Sequence, residues 1–205
     1  MKKLEHKNIF SNTYIITRYN KAFLIDPSFS YEEIKLFLEG YDLEGILLTH
    51  GHFDHTILIG TFNCPVYIHQ DEIPLLNNPS QNGYESYDIK PLFNIKNLDL
   101  KPIKDDDKIK FADKEIKVIH TPGHTKGSVC FLFENHLFTG DTLFYESVGA
   151  HHFPTGNIYE LRKSVVKLIQ DHQSYIKIHP GHEKDSTIGH ERKNNHYYLK
   201  WIYKQ

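Results

Sequence analysis

The segment Thr49-His50-Gly51-His52-Phe53-Asp54-His55 places four side chains able to ligate a metal within six residues. Imidazole and carboxylate together are a donor set for zinc, with iron and manganese fitting it as well. His50 and His52 stand two apart, so in extended backbone both rings project to one side, as two ligands of one cation should. Gly51 lets the chain bend between them. Asp54 and His55 follow where the chain turns into a helix, displaced enough to serve a second cation a few ångströms away. Three later segments each offer one more donor at the end of an expected strand: His120 in His-Thr-Pro-Gly-His-Thr, Asp141 in Phe-Thr-Gly-Asp-Thr-Leu-Phe, and His182 in His-Pro-Gly-His. Strand ends on one sheet edge converge on a common crevice, so these can meet. The sum supplies two cations with three ligands each, if one carboxylate bridges, and leaves a place for a shared water. Divalent cations lower the pKa of such a water toward about 7 for zinc, so hydrolysis is the chemistry implied. Asp54, a ligand beside that water, is the candidate to hold or pass its proton.

The elements that must position these residues alternate. Strands are expected over 12–18 and 21–25, the second stopping at Asp26-Pro27, and a helix over 31–39 closed by Gly40. The unalternating apolar run at 45–49 reads as a strand buried on both faces, delivering the chain into the histidine cluster. Helices over 54–60 and 71–77 flank a short strand at 66–68. From 77 to 107 the composition turns to loop with edge strands. A strand over 116–118 runs into His120, and a hairpin turns at Glu134-Asn135. Asn157 is the expected N-cap of a helix, with Glu160 three residues on and Ile158, Leu161, Val165, Leu168 and Ile169 on one face. A last strand at 175–178 leads into His179-Pro180-Gly181-His182, and 187–203 is mostly helical. With 205 residues, no repeat and no linker, one layered α/β domain over 1–205 is expected.

Composition narrows the classes. Lys plus Arg is 24 against Asp plus Glu 26, a formal charge of −2, so no global pull toward nucleic acid is expected. Cys64 and Cys130 are the only cysteines and too far apart in sequence to suggest a thiolate site or a disulfide scaffold. The start carries Lys2, Lys3 and Lys7 but also Glu5, His6 and Asn8, with no apolar signal core, and no window approaches a membrane span. A cytoplasmic protein with a small-molecule substrate is expected, with no membrane partner, and with monomer and homo-oligomer both open.

Five motifs in this order resemble the metallo-β-lactamase superfamily, most closely its glyoxalase II-like, hydroxyacylglutathione hydrolase branch, over nearly the whole chain to Thr187-Ile188-Gly189-His190-Glu191-Arg192. The resemblance implies a four-layer αββα sandwich with the metals at one edge of its sheets. It implies one metal on His50, His52 and His120, a second on Asp54, His55 and His182, and Asp141 bridging. It implies hydrolysis of a thioester such as an S-acylated glutathione by the hydroxide shared between the cations. Departures stand beside it: no C-terminal helical region of the full-length glyoxalase II, Ala150-His151-His152 where relatives continue with an Arg-Thr-Asp-like segment, and Glu183-Lys184 in place of Gly-Pro after His182. A mononuclear iron persulfide dioxygenase and a metal-stabilised binding module without turnover stay open as alternatives.

Other candidates have plainer readings. His124 is taken as an orienting neighbour of His120 rather than a ligand. His151 and His152 read as solvated, with contact to substrate open. Asp26 reads as a turn carboxylate that supports the metal loop, and Asp105-Asp106-Asp107 as a solvated turn. Both cysteines read as small buried apolar groups. Tyr197, Tyr198, Trp201 and Tyr203 read as docking the terminal helix or a partner subunit.

Overall fold

The computed structural model describes residues 1–5 and 9–203; His6, Lys7 and Asn8 of the amino-terminal stretch lie outside the described residues, as do Lys204 and Gln205. Two compact units make up the chain, residues 1–103 with 109–115, and residues 104–108 with 116–205.

The first unit holds β1 (Lys2–Leu4), β2 (Thr13–Arg18), β3 (Lys21–Ile25), α1 (Tyr31–Phe37), β4 (Asp42–Leu47), α2 (Phe53–Thr56), β5 (Val66–His69), α3 (Ile73–Leu76), α4 (Pro79–Asn82) and β6 (Leu100–Ile103). Its strands lie side by side in the order β1-β2-β3-β4-β5-β6. Pairing is antiparallel from β1 to β3 and parallel from β3 to β6. Pro102 sits in β6 at the sheet edge, where a missing N–H breaks no ladder. The apolar run at 45–47 is buried as its lack of alternation requires, and Ile15, Leu24, Ile46, Leu48, Ile59 and Ile68 form the heart of a core beneath the helices. The expected helix over 54–60 is a single turn, Phe53–Thr56, and the loop-rich stretch after 77 gains α4 besides its edge strand. Next comes β7 (Lys108–Phe111), whose Phe111 ring meets Phe23 edge-on at 5.2 Å between centroids.

The second unit follows with β8 (Lys114–His120), β9 (Val129–Phe133), β10 (His136–Gly140), β11 (Leu143–Phe144), β12 (Ser147–Val148), α5 (Ile158–Asp171), β13 (Lys177–Pro180), β14 (Ser186–Thr187), α6 (Ile188–Asn194) and α7 (His196–Tyr203). Its sheet runs β14-β13-β10-β9-β8. The hairpin joins β9 to β10 through Glu134 and Asn135, as expected. Asn157 Oδ1 accepts the backbone N–H groups of Tyr159 and Glu160 at 2.9 and 3.2 Å, satisfying two of the orphan donors of α5. Leu161, Val165, Leu168 and Ile169 of α5 then pack with Leu137, Ile178, Ile188 and Tyr198. The fold class found is therefore the mixed α/β one expected, two sheets with helices. No helix among the described residues is long and apolar enough to cross a membrane.

Candidate metal centre

In the first unit the donors are prepared by one buried carboxylate. Asp26 ends β3 in the left-handed region at φ +49°, which turns its side chain under the segment leaving β4. There it accepts hydrogen bonds from the Thr49 N–H at 2.9 Å, the Thr49 hydroxyl at 2.6 Å and His55 Nδ1 at 2.8 Å. The ring proton of His55 is thus held on Nδ1, and Nε2 keeps its lone pair and lies 3.5 Å from Asp54 Oδ2. Because the Thr49 hydroxyl proton goes to Asp26, its oxygen is left to accept from His50 Nδ1, 3.1 Å away, which prepares Nε2 of His50 in the same way. The His50 ring centroid is 4.8 Å from that of His52 and 4.1 Å from that of His55, all three being buried. A second buried carboxylate, Glu72, accepts the Gly51 N–H at 2.8 Å and so supports the bend between His50 and His52. Sequence reasoning missed it, since Asp71-Glu72 looks like any acidic helix start.

In the second unit backbone pairing delivers two donors together. The strands β10 and β13 run parallel, and the Gly181 N–H extends their ladder by donating to the Gly140 carbonyl at 2.8 Å. The next residue of each strand is a predicted ligand, Asp141 and His182. Asp141 Oδ2 lies 3.6 Å from His182 Nε2 and also 3.6 Å from His124 Nε2. His124 Nδ1 donates to the Ala150 carbonyl at 2.7 Å, so its Nε2 too is the lone-pair nitrogen. Gly149 makes that approach possible: a Cβ there would stand 1.7 Å from the Asp141 carbonyl oxygen.

These separations exceed a hydrogen bond. They suit a cation: two ligand atoms bound near 2.1 Å in tetrahedral geometry stand roughly 3.4 Å apart. The donor set, with lone pairs turned toward carboxylate oxygens in both units, fits divalent metal.

His120 departs from expectation. Its Nε2 donates to the Lys126 carbonyl at 3.0 Å and its backbone N–H to Asp105 Oδ1 at 2.8 Å, while its ring lines a cavity of about 190 Å³ with Lys163, Lys167 and His172. The residue beside Asp141 is His124, four positions later. The strand ends with His120 turned away, and the Thr121-Pro122-Gly123 turn carries the chain back. Gly123 sits at φ +139° with its Cα against Leu161, where a Cβ would be 2.2 Å from the backbone nitrogen. His124, expected as the neighbour, is thus the ring that faces Asp141, and His120, expected as the ligand, is bonded to the Lys126 carbonyl instead. Asp26 accepts hydrogen bonds from the loop that carries His50 and His55, Asp107 accepts the Lys104 N–H at 2.9 Å within its own turn, and Asp105 reaches out of that turn to the His120 N–H.

Around these donors lie aromatic rims. In the first unit Tyr87 stacks on Phe53 at 4.6 Å. In the second, Phe153 meets His124 edge-on at 5.9 Å and packs against His152 at 4.7 Å, Phe144 meets His182 at 6.0 Å, and the Lys184 ammonium sits 3.6 Å from the centre of the Tyr145 ring. Cys130 is buried, with its thiol pushed up to about 12 by burial, and Cys64 is half-buried with its thiol pushed up to about 11, again by burial first. Neither is placed as a metal thiolate.

A fold of two sheets with helices and histidine-aspartate loops at strand ends defines a class, and comparison supplies its name. Residues 7–182 match the metallo-beta-lactamase superfamily, and the chain belongs to it. It is 35% identical over 196 residues to a "Probable metallo-hydrolase" of Methanocaldococcus jannaschii, covering 88% of this chain and 91% of that one. Among solved structures, the BLEG-1 B3 metallo-beta-lactamase superposes with a TM-score of 0.87 at 30% identity, covering 96% of this chain and 98% of that one. TTHA1623, crystallised in a di-iron-bound form, superposes with a TM-score of 0.80 at 26% identity, covering 95% and 98%.

Proposed function

We propose that this protein is a dinuclear metal-dependent hydrolase acting on a thioester of a small thiol. The observation that carries the two-cation reading is Asp141 Oδ2 standing 3.6 Å from both His124 and His182, the position of a carboxylate shared by two ions. In this reading His50, His52 and His124 hold one cation, Asp54, His55 and His182 hold the other, and Asp141 links them. Bound divalent cations would supply a water deprotonated near neutral pH and polarise the substrate carbonyl. The chain's own part is positional. Asp26, Thr49 and the Ala150 carbonyl hold three imidazoles as Nδ1–H tautomers, so that no ring must turn or lose a proton before it binds. Asp54 holds or passes the proton of the attacking water from its carboxylate. The choice of a thioester rests on the resemblance of the motifs to glyoxalase II-like hydrolases.

Zinc is the default for these donors, and the di-iron relative makes iron the second metal to assay. Protein purified without chelators should carry two divalent ions per chain and hydrolyse S-acylated glutathione. Chelation should stop turnover and metal should restore it, while Asp54→Ala should abolish turnover in a folded chain. A single iron with oxygen uptake on a persulfide, or a fully loaded enzyme that cleaves lactones or phosphodiesters but no thioester, would overturn the proposal.

A further inference from the structure

Outside the donors, the second unit holds a chain of three polar side chains whose arrangement the hydrolase reading does not use. His136 and Phe138 lie on one face of β10, two residues apart, and the register sets Phe138 opposite His179 on β13. His179 is 2% exposed and stacks on both, with ring centroids 5.1 Å from each. Its Nε2 is 2.8 Å from His136 Nδ1, and its Nδ1 is 2.8 Å from Asp185 Oδ2. The carboxylate can only accept, so the His179 proton lies on Nδ1. Nε2 is then the acceptor and His136 the donor. Burial first, and the neighbouring His179 second, push the His136 pKa below the ordinary value, which keeps that ring neutral as the chain requires.

His179 and Asp185 bracket the loop that carries His182. At one side β13 is tied to β10 by the Gly181 to Gly140 hydrogen bond, and at the other β14 returns antiparallel to β13, pairing Ile178 with Ser186. Between them Glu183 occupies the left-handed region at φ +67°, a conformation that favours glycine and strains other residues. The loop therefore needs a restraint to hold it, and the His179 to Asp185 bond closes it across its base.

We infer that Asp185, through His179 and His136, is a positioning residue that holds the His182 loop in its liganding conformation. This rests on the reading of His182 as a metal ligand. Asp185→Ala should weaken binding of one of the two cations by roughly 10–100-fold, the effect of losing a partner behind a metal ligand, and leave the other cation bound. Asp185→Asn keeps an oxygen that accepts the His179 N–H and should restore most of the affinity. Chelator competition with zinc reads both, and the cobalt-substituted protein should show an altered absorption spectrum for one site only. Because buried His179 loses its acceptor, the thermal midpoint of the metal-free protein should fall modestly in Asp185→Ala; what a merely structural role would not give is weakened binding confined to one cation, with recovery in Asp185→Asn. Two cations bound with wild-type affinity in Asp185→Ala would overturn this inference while leaving the hydrolase reading standing. A wild-type chain that takes no second ion would sink both. Because the readout is metal affinity, the identity of the substrate does not enter.

Discussion

Two histidines four residues apart, His120 and His124, offer the sharpest test of the centre. His124 Nε2 stands 3.6 Å from Asp141 Oδ2, and His120 spends its Nε2 on the Lys126 carbonyl. Structural zinc held by four ligands is worth roughly 10–16 kcal/mol, so one ligand accounts for about 3 kcal/mol, or roughly a hundredfold in affinity. His124→Ala should therefore lose one cation at chelator concentrations that leave wild type loaded, and its turnover should fall with it. It also leaves the Ala150 carbonyl without its donor, a further cost of about 1–3 kcal/mol in the metal-free fold. His120→Ala gives up a hydrogen bond at an exposed position, about 1 kcal/mol, and should retain both cations and full turnover. Metal content after graded chelation and urea unfolding of the metal-free proteins separate the two costs. If His120→Ala sheds a cation and His124→Ala keeps both, the tautomer reasoning applied to every ring in this centre fails.

Two further outcomes follow from the same geometry. Asp26→Asn should keep the fold's shape but turn a donor toward His55 or Thr49, weakening metal by roughly 10–100-fold in the chelator assay; unchanged affinity would remove Asp26 from the centre. With the Cys64 thiol moved from 9.0 to about 11, its thiolate is scarce at pH 8. Labelling by a disulfide reagent should be about a hundredfold slower than for an exposed thiol and quicken about tenfold per pH unit between pH 7.5 and 9.5, while Cys130 stays unlabelled until the chain unfolds. Rapid labelling of both in the folded state would contradict the burial described.

Much of this protein is legible in its sequence because the deciding interactions are local. The doubly buried strand before His50, the Asn157 cap, the hairpin at Glu134-Asn135 and the donor types at each strand end follow from periodicity, side-chain chemistry and spacing. The family pattern adds the order of the motifs. Tertiary structure alone decided three things. It set the His124 ring, and not that of His120, beside Asp141, because the direction of a side chain past a strand end depends on the turn that follows, and Gly123 makes that turn against the backbone of Leu161. It brought in Glu72 and confirmed Asp26 as hydrogen-bond partners of the metal loop, since a buried carboxylate and the donors it serves, 21 to 29 residues apart, share no local signal. And it joined His136, His179 and Asp185, because parallel strand register sets which residues face one another, and register is a property of the sheet rather than of either strand.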